Sequence, residues 1–234
     1  MSKTNFFVAI IILALGLCIN VYSQGKDDGK PQLQSYGTEF WISNPICYRK
    51  SEANNSVNLY IISEYETVVD VIIESKNYHK RKITKPNNVV AIEMPEGIGQ
   101  VVSKNPKDEP VPEKIYNRSG IHIVAEKPIK VYCVSRFNEI GEGYFALPVE
   151  SLGKEYIVSA YKVDPMFFEK WGYHSPSQTV ITAAYDNTTV SFRLGGNKNT
   201  QTAGGMKPGE VKERVLNAGD VWMFMTEGNN ADLS

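Results

Sequence analysis

Residues 57–74 read VNLYIISEYETVVDVIIE, and this stretch decides the fold class. Residues 57–63 alternate apolar and polar side chains and then become wholly apolar, whereas residues 67–74 are β-branched almost throughout. Such segments are typical of β-strands, because β-branched side chains pack well on a pleated, half-buried surface. The stretch therefore predicts two strands.

Further strands are predicted along most of the chain. Ordered structure is expected from Tyr36 onward, and short apolar runs recur at residues 89–94, 121–125, 129–135, 156–161, 179–185, 189–194, 210–216 and 221–225. No long window keeps a 3.6-residue apolar period, so no crossover helix is available to join parallel strands. The pattern predicts an all-β fold, either an antiparallel β-sandwich or two stacked β-sandwich-like halves.

Three short polar segments are predicted to turn the chain between neighbouring strands. Residues 126–128 (EKP) have the composition of a hairpin or a tight bend. Residues 186–188 (DNT) and 217–220 (NAGD) predict two hairpins, because Asp, Asn and Gly tolerate the left-handed backbone of tight turns. Gly37 and Gly120 precede strands, where a turn of the backbone is expected.

The first 23 residues have the layout of a secretory signal peptide. Lys3 supplies the positive charge, residues 6–17 (FFVAIIILALGL) are uncharged and mostly apolar, and residues 21–23 (VYS) precede the cleavage position. The apolar run is short for a membrane span, which needs about 20 residues. An uncleaved anchor and lipidation at Cys18 stay open as alternatives. The signal predicts a secreted or cell-surface protein with no membrane span after its removal.

The rest of the chain is predicted to contain a linker and one β domain. Residues 24–35 (QGKDDGKPQLQS) are polar and predict a flexible linker, which leaves residues 36–234 for the folded part. Residues 95–118 hold four Pro and many charges, so they predict a long loop and a boundary between two halves, 36–118 and 119–234. The polar C-terminal residues follow a predicted strand directly, and the chain is expected to continue as part of a larger protein.

The charge balance argues against nucleic acid as a partner. The chain has 25 Lys and Arg against 26 Asp and Glu, a formal net charge of −1. It therefore lacks the basic excess that binds nucleic acids or anionic membranes. The dense basic run at residues 79–82 (HKRK) is too short to neutralise many phosphates, and we interpret it as a solvated strand end or hairpin tip.

Two cysteines, Cys47 and Cys133, remain after removal of the signal peptide. In an exported protein such a pair is a candidate disulfide, which would close a long loop and stabilise the fold by about 4–5 kcal/mol in the chain-entropy model. The alternative is two separate buried thiols. Cys133 lies on the same strand face as Ile129 and Val131, where a core residue would lie.

No residue set for catalysis, for a metal or for a cofactor is apparent. His79, His122 and His174 are far apart in sequence and match no metal-ligand spacing. His122 alternates with the apolar Ile121 and Ile123, which predicts a structural His on the polar face. The glycine-rich phosphate motifs and the nucleophile elbow are also absent from the sequence.

Carboxylates keep a carbohydrate-active enzyme open as an alternative. The candidates that could pair in a cleft are Glu39, Glu64, Glu66, Asp70 and Glu74. Glycosidase chemistry needs two carboxylates about 5–10 Å apart in a cleft, which the sequence does not specify. Exported β-sandwiches commonly hold as many acidic residues, so we expect no enzymatic activity and no cofactor.

The densest aromatic segment outside a predicted strand supplies the candidate binding residues. They are Phe167, Phe168, Trp171 and Tyr173, flanked by Pro165 and Pro176. Aromatic side chains in loops are frequent anchors of protein and sugar recognition, because they offer large contact areas at low entropy cost. The alternative is that they cover one end of the sandwich.

Four phrases in order resemble the N-terminal domain of IgGFc-binding proteins. They are residues 37–41 (GTEFW), residues 120–132 (GIHIVAEKPIKVY), residues 146–156 (ALPVESLGKEY) and residues 186–190 (DNTTV). The resemblance spans about residues 36–234. The family occurs in mucus-associated animal proteins and in bacterial secreted or surface proteins.

The resemblance implies extracellular binding or adhesion, and it brings no catalytic residue set. The expected partner is a protein on a host or neighbouring-cell surface, a mucin or a glycan. A structural spacer without a ligand of its own is the main alternative. The four phrases can also be interpreted as fold determinants, because they contain residues that favour turns. They also contain prolines, such as Pro128 and Pro148, that end pairing at strand edges.

Overall fold

The computed structural model describes residues 35–46, 55–102, 111–137, 140–161, 166–171, 176–227 and 233. The chain divides into two compact units, residues 1–32 and 33–234, and every described residue lies in the second unit. The predicted signal peptide and most of the predicted linker therefore lie outside the described residues. Among the residues that are described, no helix is long and apolar enough to cross a membrane.

The described part of the chain is built almost entirely from strands. The strands are β1 (Gly37–Ile42), β2 (Ser56–Ile62), β3 (Thr67–Ile73), β4 (Tyr78–Thr84), β5 (Val89–Pro95), β6 (Lys114–Tyr116), β7 (Ile121–Phe137), β8 (Ile140–Phe145), β9 (Gln178–Thr182), β10 (Thr188–Arg193), β11 (Val211–Leu216) and β12 (Val221–Met225). Two short α-helices, α1 (Glu96–Gly99) and α2 (Met166–Trp171), and 3₁₀ turns at Glu74–Lys76 and Val149–Ser151 complete the elements. The predicted all-β, antiparallel class is confirmed.

Seven strands form the larger sheet. Its order is β4-β3-β7-β2-β5, with β1 and β8 also paired to β7, and it is nearly closed like a barrel. Strand β3 shows why the sequence folds in this way. Val69, Val71 and Ile73 point inward and are buried, whereas the residues between them are partly exposed. Burial of each such side chain contributes about 1.5–3 kcal/mol, so the alternation fixes which face becomes core.

Strand β7 is one long strand where the sequence predicted two. The predicted bend at residues 126–128 is a stretch of three exposed residues inside β7, and the predicted hairpin there is wrong. Before it, β7 pairs with β1 and β3; after it, β7 pairs with β2 and β8, and with β1 through Gly37 and Ile129. Pro128 has no N–H for a ladder, and it lies where the pairing with β1 shifts register. The turn-like composition thus marks a change of partners.

The remaining strands form two small sheets. Strands β10 and β11 make one, and β6-β12-β9 make the other. Aromatic residues of both sheets share one core, in which the rings of Phe192 and Phe224 stack with centroids 4.0 Å apart. Trp222 packs against Phe224 in the same cluster. The two sheets are therefore held together by a common apolar layer.

The predicted hairpins at residues 186–188 and 217–220 are wrong, although both segments do turn the chain. Strand β9 pairs with β12, and β10 pairs with β11, so neither turn joins two strands that pair with each other. Each turn instead carries the chain from one small sheet to the other. Turn-forming residues predict a reversal of direction, and long-range packing decides which strands then pair.

Two other expectations differ from the structure. Residues 156–161 form no strand; Tyr156, Ile157 and Tyr161 are exposed, and no partner strand pairs with them in the described part of the chain. The basic run at residues 79–82 lies within β4, which is an edge strand of the larger sheet, and not at its tip. Lysines on an exposed edge discourage pairing with other chains, so the run suits this position.

Candidate functional site

One turn connects β9 to β10 along the chain, another connects β11 to β12, and the two turns lie side by side. The backbone N–H of Asn187 donates a hydrogen bond to Oδ1 of Asn217 (3.2 Å), and the N–H of Ala218 donates to Oδ1 of Asp186 (3.0 Å). Each turn thus uses a side chain to bind the backbone of the other. Asn187 has a φ of 57°, and Asn is among the few residues that adopt this left-handed region readily. The two sheet-crossing turns form one braced unit.

Asp220 joins this unit to the turn that precedes β7. Its Oδ1 accepts a hydrogen bond from the N–H of Arg118 (3.0 Å), and its Oδ2 accepts one from the N–H of Asn217 (2.9 Å). The N–H of Gly120 also donates to the carbonyl oxygen of Gly219 (2.8 Å). A carboxylate that accepts two backbone N–H groups is well suited to a buried position, so Asp220 acts as a structural tie.

An aromatic pair from the larger sheet faces these turns. Trp41 of β1 and His122 of β7 are register partners, and their rings stack with centroids 3.9 Å apart and planes 4° apart. Oε1 of Glu39 accepts a hydrogen bond from Nε1 of Trp41 (3.2 Å) and lies 2.9 Å from Nε2 of His122. One carboxylate oxygen therefore orients both rings. The prediction of a structural, partly buried His122 agrees with this setting.

Two glycines allow the turns to approach the Trp41 ring. A Cβ at Gly120 would lie 3.0 Å from Cγ2 of Thr182 and 3.3 Å from Cε3 of Trp41. A Cβ at Gly219, where φ is +80°, would lie 2.8 Å from Cζ3 of Trp41. The chain does turn at residues 117–120, just before β7, as predicted for Gly120, whereas Gly37 is itself the first residue of β1. Neither glycine has a left-handed backbone, so backbone geometry is not why glycine is needed at these two positions. Close packing is the reason, since Gly37 lies against Pro148.

These groups enclose an open pocket of about 700 Å³. Its lining residues come from four turns and two strands of the fold: Trp41, Glu74, Asn117, Arg118, His122, Asp186, Asn187, Asn217, Ala218 and Asp220. Nη1 of Arg118 donates to Oε2 of Glu74 (3.0 Å), so one positive and one negative charge are paired at the rim. The pocket combines a preformed aromatic surface with amides and carboxylates, which suits it to bind a polar ligand.

Two amide side chains in the pocket keep their hydrogen-bonding capacity. Within the described ranges, the side-chain amides of Asn117 and Asn187 have no hydrogen-bond partner. Each amide presents two donors and an acceptor. By contrast, Asp220 and the Oδ1 atoms of Asp186 and Asn217 are occupied by backbone N–H groups. The structural carboxylates shape the pocket, and the amides are available to a ligand.

Asn187→Pro is expected to lower the free energy of unfolding by about 2 kcal/mol. Proline requires a φ near −65°, whereas residue 187 has a φ of 57°, and proline also removes the N–H that binds Asn217. Asn187→Gly keeps both the backbone angle and the N–H, so it serves as the control and should be nearly neutral. Urea denaturation measures both variants, and equal stability of the two would contradict the role of the turn.

The aromatic segment predicted as a binding site falls largely outside the described residues. The backbone of residues 166–171 forms helix α2, as the prediction of at most a short helical turn allowed. The side chains of Phe167, Phe168 and Trp171 and the whole of Tyr173 lie outside the described part of the structure. Their role in binding stays a prediction.

The candidate disulfide also stays a prediction. Cys133 is a buried thiol whose Sγ lies 3.3 Å from Nδ2 of Asn44. Burial raises the pKa of this thiol, although hydrogen bonds from Asn44 and Tyr144 oppose the rise. Cys133 is thus kept protonated and is a poor nucleophile. Cys47 lies outside the described residues.

The carboxylates proposed as catalytic candidates lie in different surroundings. Asp70 accepts two hydrogen bonds from Arg81 (2.9 Å each) and lies 2.6 Å from Nε2 of His79, and the hydrogen bond from Arg81 is the largest cause that lowers its pKa. Glu39 orients the aromatic pair, and Glu74 binds Arg118. Glu64 accepts a hydrogen bond from the Tyr36 hydroxyl (3.4 Å). Each of these four carboxylates has a structural partner.

Residues 142–234 match the model of the family described as IgGFc binding protein. The resemblance to this family that the sequence phrases indicated is therefore confirmed in that part of the chain. Among curated proteins and among solved structures, none matches this chain. Asp186, Asn187 and Asp220 lie inside the matched range, whereas Trp41 and His122 precede it.

Four of the ten pocket residues lie in the sequence phrases, which were interpreted from the sequence as fold determinants. Trp41 belongs to the first phrase, His122 to the second, and Asp186 and Asn187 to the fourth. The distribution of these four residues over three phrases is the sequence signal that could have identified the site. Polar and aromatic residues that occur in three separate phrases meet around one cavity.

Proposed function

We propose that this protein is an extracellular binding module that recognises a protein or a glycan, acts without catalysis and uses the pocket at Trp41 and His122 as its recognition site. The family matched by residues 142–234 is named for binding an immunoglobulin Fc fragment, which supports a binding role. The observation that carries the proposal is the polar pocket of about 700 Å³ with a preformed aromatic pair and two unoccupied amides.

The pocket favours binding over a purely structural role. A spacer module needs no concave surface lined by aromatic rings and polar groups. Here the exposed side-chain amides of Asn117 and Asn187, which have no partner among the described residues, lie at the edge of an open cavity where a ligand can reach them. The layout of the first 23 residues supports export, so the proposed ligand is one found on a cell surface or in mucus.

The binding role is tested by presenting the full-length protein to three immobilised surfaces. They are an immunoglobulin Fc fragment, a mucin and the same mucin after enzymatic removal of its glycans. Saturable binding to at least one surface is expected, and serum albumin serves as the negative surface. Absence of saturable binding to all three would contradict the proposal and would favour the spacer.

The same assay decides between the pocket and the aromatic segment at α2. Trp171→Ala should weaken attachment at an unchanged melting temperature if the segment contacts the ligand, since truncation of an interface anchor commonly costs about 2 kcal/mol or more. If the segment covers the core instead, the substitution should destabilise the protein by about 3–5 kcal/mol. Unchanged attachment by a folded Trp171→Ala protein would leave the pocket as the recognition site.

A further inference from the structure

The charges in the pocket restrict the chemistry of its ligand. Arg118 is paired with Glu74, and the carboxylates of Asp186 and Asp220 add negative charge to the described lining. A sulfated, phosphorylated or sialylated ligand would meet this negative charge and would have to break the Arg118–Glu74 pair to be neutralised. The pocket therefore disfavours anions.

The pocket also offers few free ligand atoms for a metal cation. Both carboxylate oxygens of Asp220, and one of Asp186, already accept backbone N–H groups. Among the described residues, no group of three or more His, Cys, Asp or Glu is arranged to hold a metal ion. A divalent cation such as Ca²⁺ takes six to eight oxygen ligands, which this pocket does not leave free.

The groups that remain match a neutral, hydroxyl-rich molecule. The amides of Asn117 and Asn187 can each donate to one hydroxyl and accept from another. The stacked rings of Trp41 and His122 offer an apolar surface next to these polar groups, and Glu39 holds the rings in place. A pyranose ring has this combination, because it carries hydroxyls at its edge and C–H groups on its faces.

We propose that the pocket is a binding site for a neutral sugar unit of one or two rings. This inference rests on the proposed binding function and names its ligand class. The volume of about 700 Å³ lies within the roughly 300–1,000 Å³ of small-molecule sites. A protein partner would instead need a contact surface of about 800 Å² on this chain, which a concave polar pocket does not supply.

The geometry also explains why the site is preorganised. Asp220 and the two turn-to-turn hydrogen bonds hold Asn187 and Asn117 on a rigid frame of strands and turns. Little conformational freedom is therefore lost from the backbone when a sugar binds, which raises affinity for a small ligand.

Two substitutions remove the proposed contacts without removing the frame. Asn117→Ala deletes one amide, and Asn187→Gly deletes the other while keeping the left-handed backbone of the turn. Asn87→Gly is the matched control, because Asn87 also has a positive φ (61°) and is exposed but lies outside the pocket lining. All three variants should keep the melting temperature of the wild type.

Titration calorimetry with the full-length protein measures binding of glucose, galactose, mannose, N-acetylglucosamine, N-acetylgalactosamine and their neutral disaccharides. Sialyllactose and a sulfated hexose are the anionic comparisons. At least one neutral sugar should bind, and Asn117→Ala and Asn187→Gly should each weaken it about fivefold, the value of one neutral hydrogen bond. The affinity of the double variant Asn117→Ala/Asn187→Gly should be about 25-fold lower, and Asn87→Gly should bind with the affinity of the wild type.

Several results would overturn the neutral-sugar site. They are preference for the anionic sugars, wild-type affinity in both pocket variants, or failure of every neutral sugar to bind while the protein still binds mucin. Equal binding to glycosylated and deglycosylated mucin would assign the pocket to a protein ligand instead. In those cases the binding function survives, whereas absence of binding to sugars, mucin and Fc alike removes both proposals.

Discussion

Lys212→Met should lower the free energy of unfolding by about 3 kcal/mol at neutral pH. The Glu113 side chain is only 5% exposed, and its Oε1 binds Nζ of Lys212 (2.7 Å) and the Thr202 hydroxyl (2.7 Å). Removal of the ammonium group leaves a buried carboxylate whose remaining donors are neutral, namely the Thr202 hydroxyl and the backbone N–H of Glu113. The expected value is at the lower end for buried ion pairs, because Lys212 itself is 33% exposed.

The effect should depend on pH with a defined sign. Burial raises the pKa of Glu113, but hydrogen bonds from Lys212 and Thr202 outweigh burial and hold the pKa below its usual value. In the wild type this group therefore stabilises the fold above its unfolded-state pKa, and the contribution is lost as pH falls through the lower folded-state pKa. Without Lys212 we expect burial to raise the pKa of Glu113. Protonation of Glu113 at low pH should therefore restore part of the stability that the Lys212→Met variant loses at neutral pH.

A double variant separates the ion pair from the loss of the lysine stem. Glu113→Gln with Lys212→Met removes both charges and keeps an acceptor for Thr202, so most of the lost stability should return. Guanidinium denaturation at neutral pH and near pH 4 measures all three proteins. Equal losses at both pH values, or a double variant as unstable as Lys212→Met alone, would show that the pair does not stabilise the fold as described.

The local sequence pattern was sufficient to predict a strand and its inward face where one face of that strand is buried. In β3, the two-residue alternation of Val69 and Val71 with less buried neighbours specifies both the strand and its inward face. The same is true of β10, where Phe192 is buried between exposed residues. Burial energy acts on each residue according to its side of the strand, so a local pattern carries this information.

Pairing between strands was not predictable in the same way. Asp186 and Asn187 correctly indicate a turn, and Asn187 has the expected positive φ. Whether the next strand pairs with the previous one or crosses to another sheet depends on the apolar layer around Phe224, far away in sequence. The long strand β7 was missed for a related reason, because Pro128 has the local chemistry of a bend while partners on both sides keep the strand continuous.

The candidate site could be predicted only in part. His122 alternates with buried neighbours, so its place on the polar face follows from the sequence. Its stacking on Trp41 requires the register between β1 and β7, and its place in the same pocket as Asn187 requires the crossing of the small sheets. The sequence motifs contain only part of the pocket's chemical groups, and Asn117 lies outside them. Only the three-dimensional arrangement shows that these residues share a cavity.

Gly219→Ala is expected to cost about 3 kcal/mol of stability, from about 1 kcal/mol of left-handed backbone strain and about 2 kcal/mol of overpacking. The new methyl group would lie 2.8 Å from Cζ3 and 3.1 Å from Cη2 of Trp41, both part of a rigid ring. Trp41 is held by Glu39 and stacked on His122, so it has little freedom to move away.

Gly205→Ala separates the two contributions, because Gly205 has a similar φ (+85°) and a Cβ there would meet nothing within 4 Å. This control should cost only the backbone strain, about 1 kcal/mol. Urea denaturation gives the difference between the variants, and near-UV circular dichroism reports whether the Trp41 ring has moved. Gly219→Ala should alter that spectrum and weaken ligand binding, whereas Gly205→Ala should do neither. Equal losses of stability would mean that the approach of Gly219 to Trp41 does not constrain the pocket.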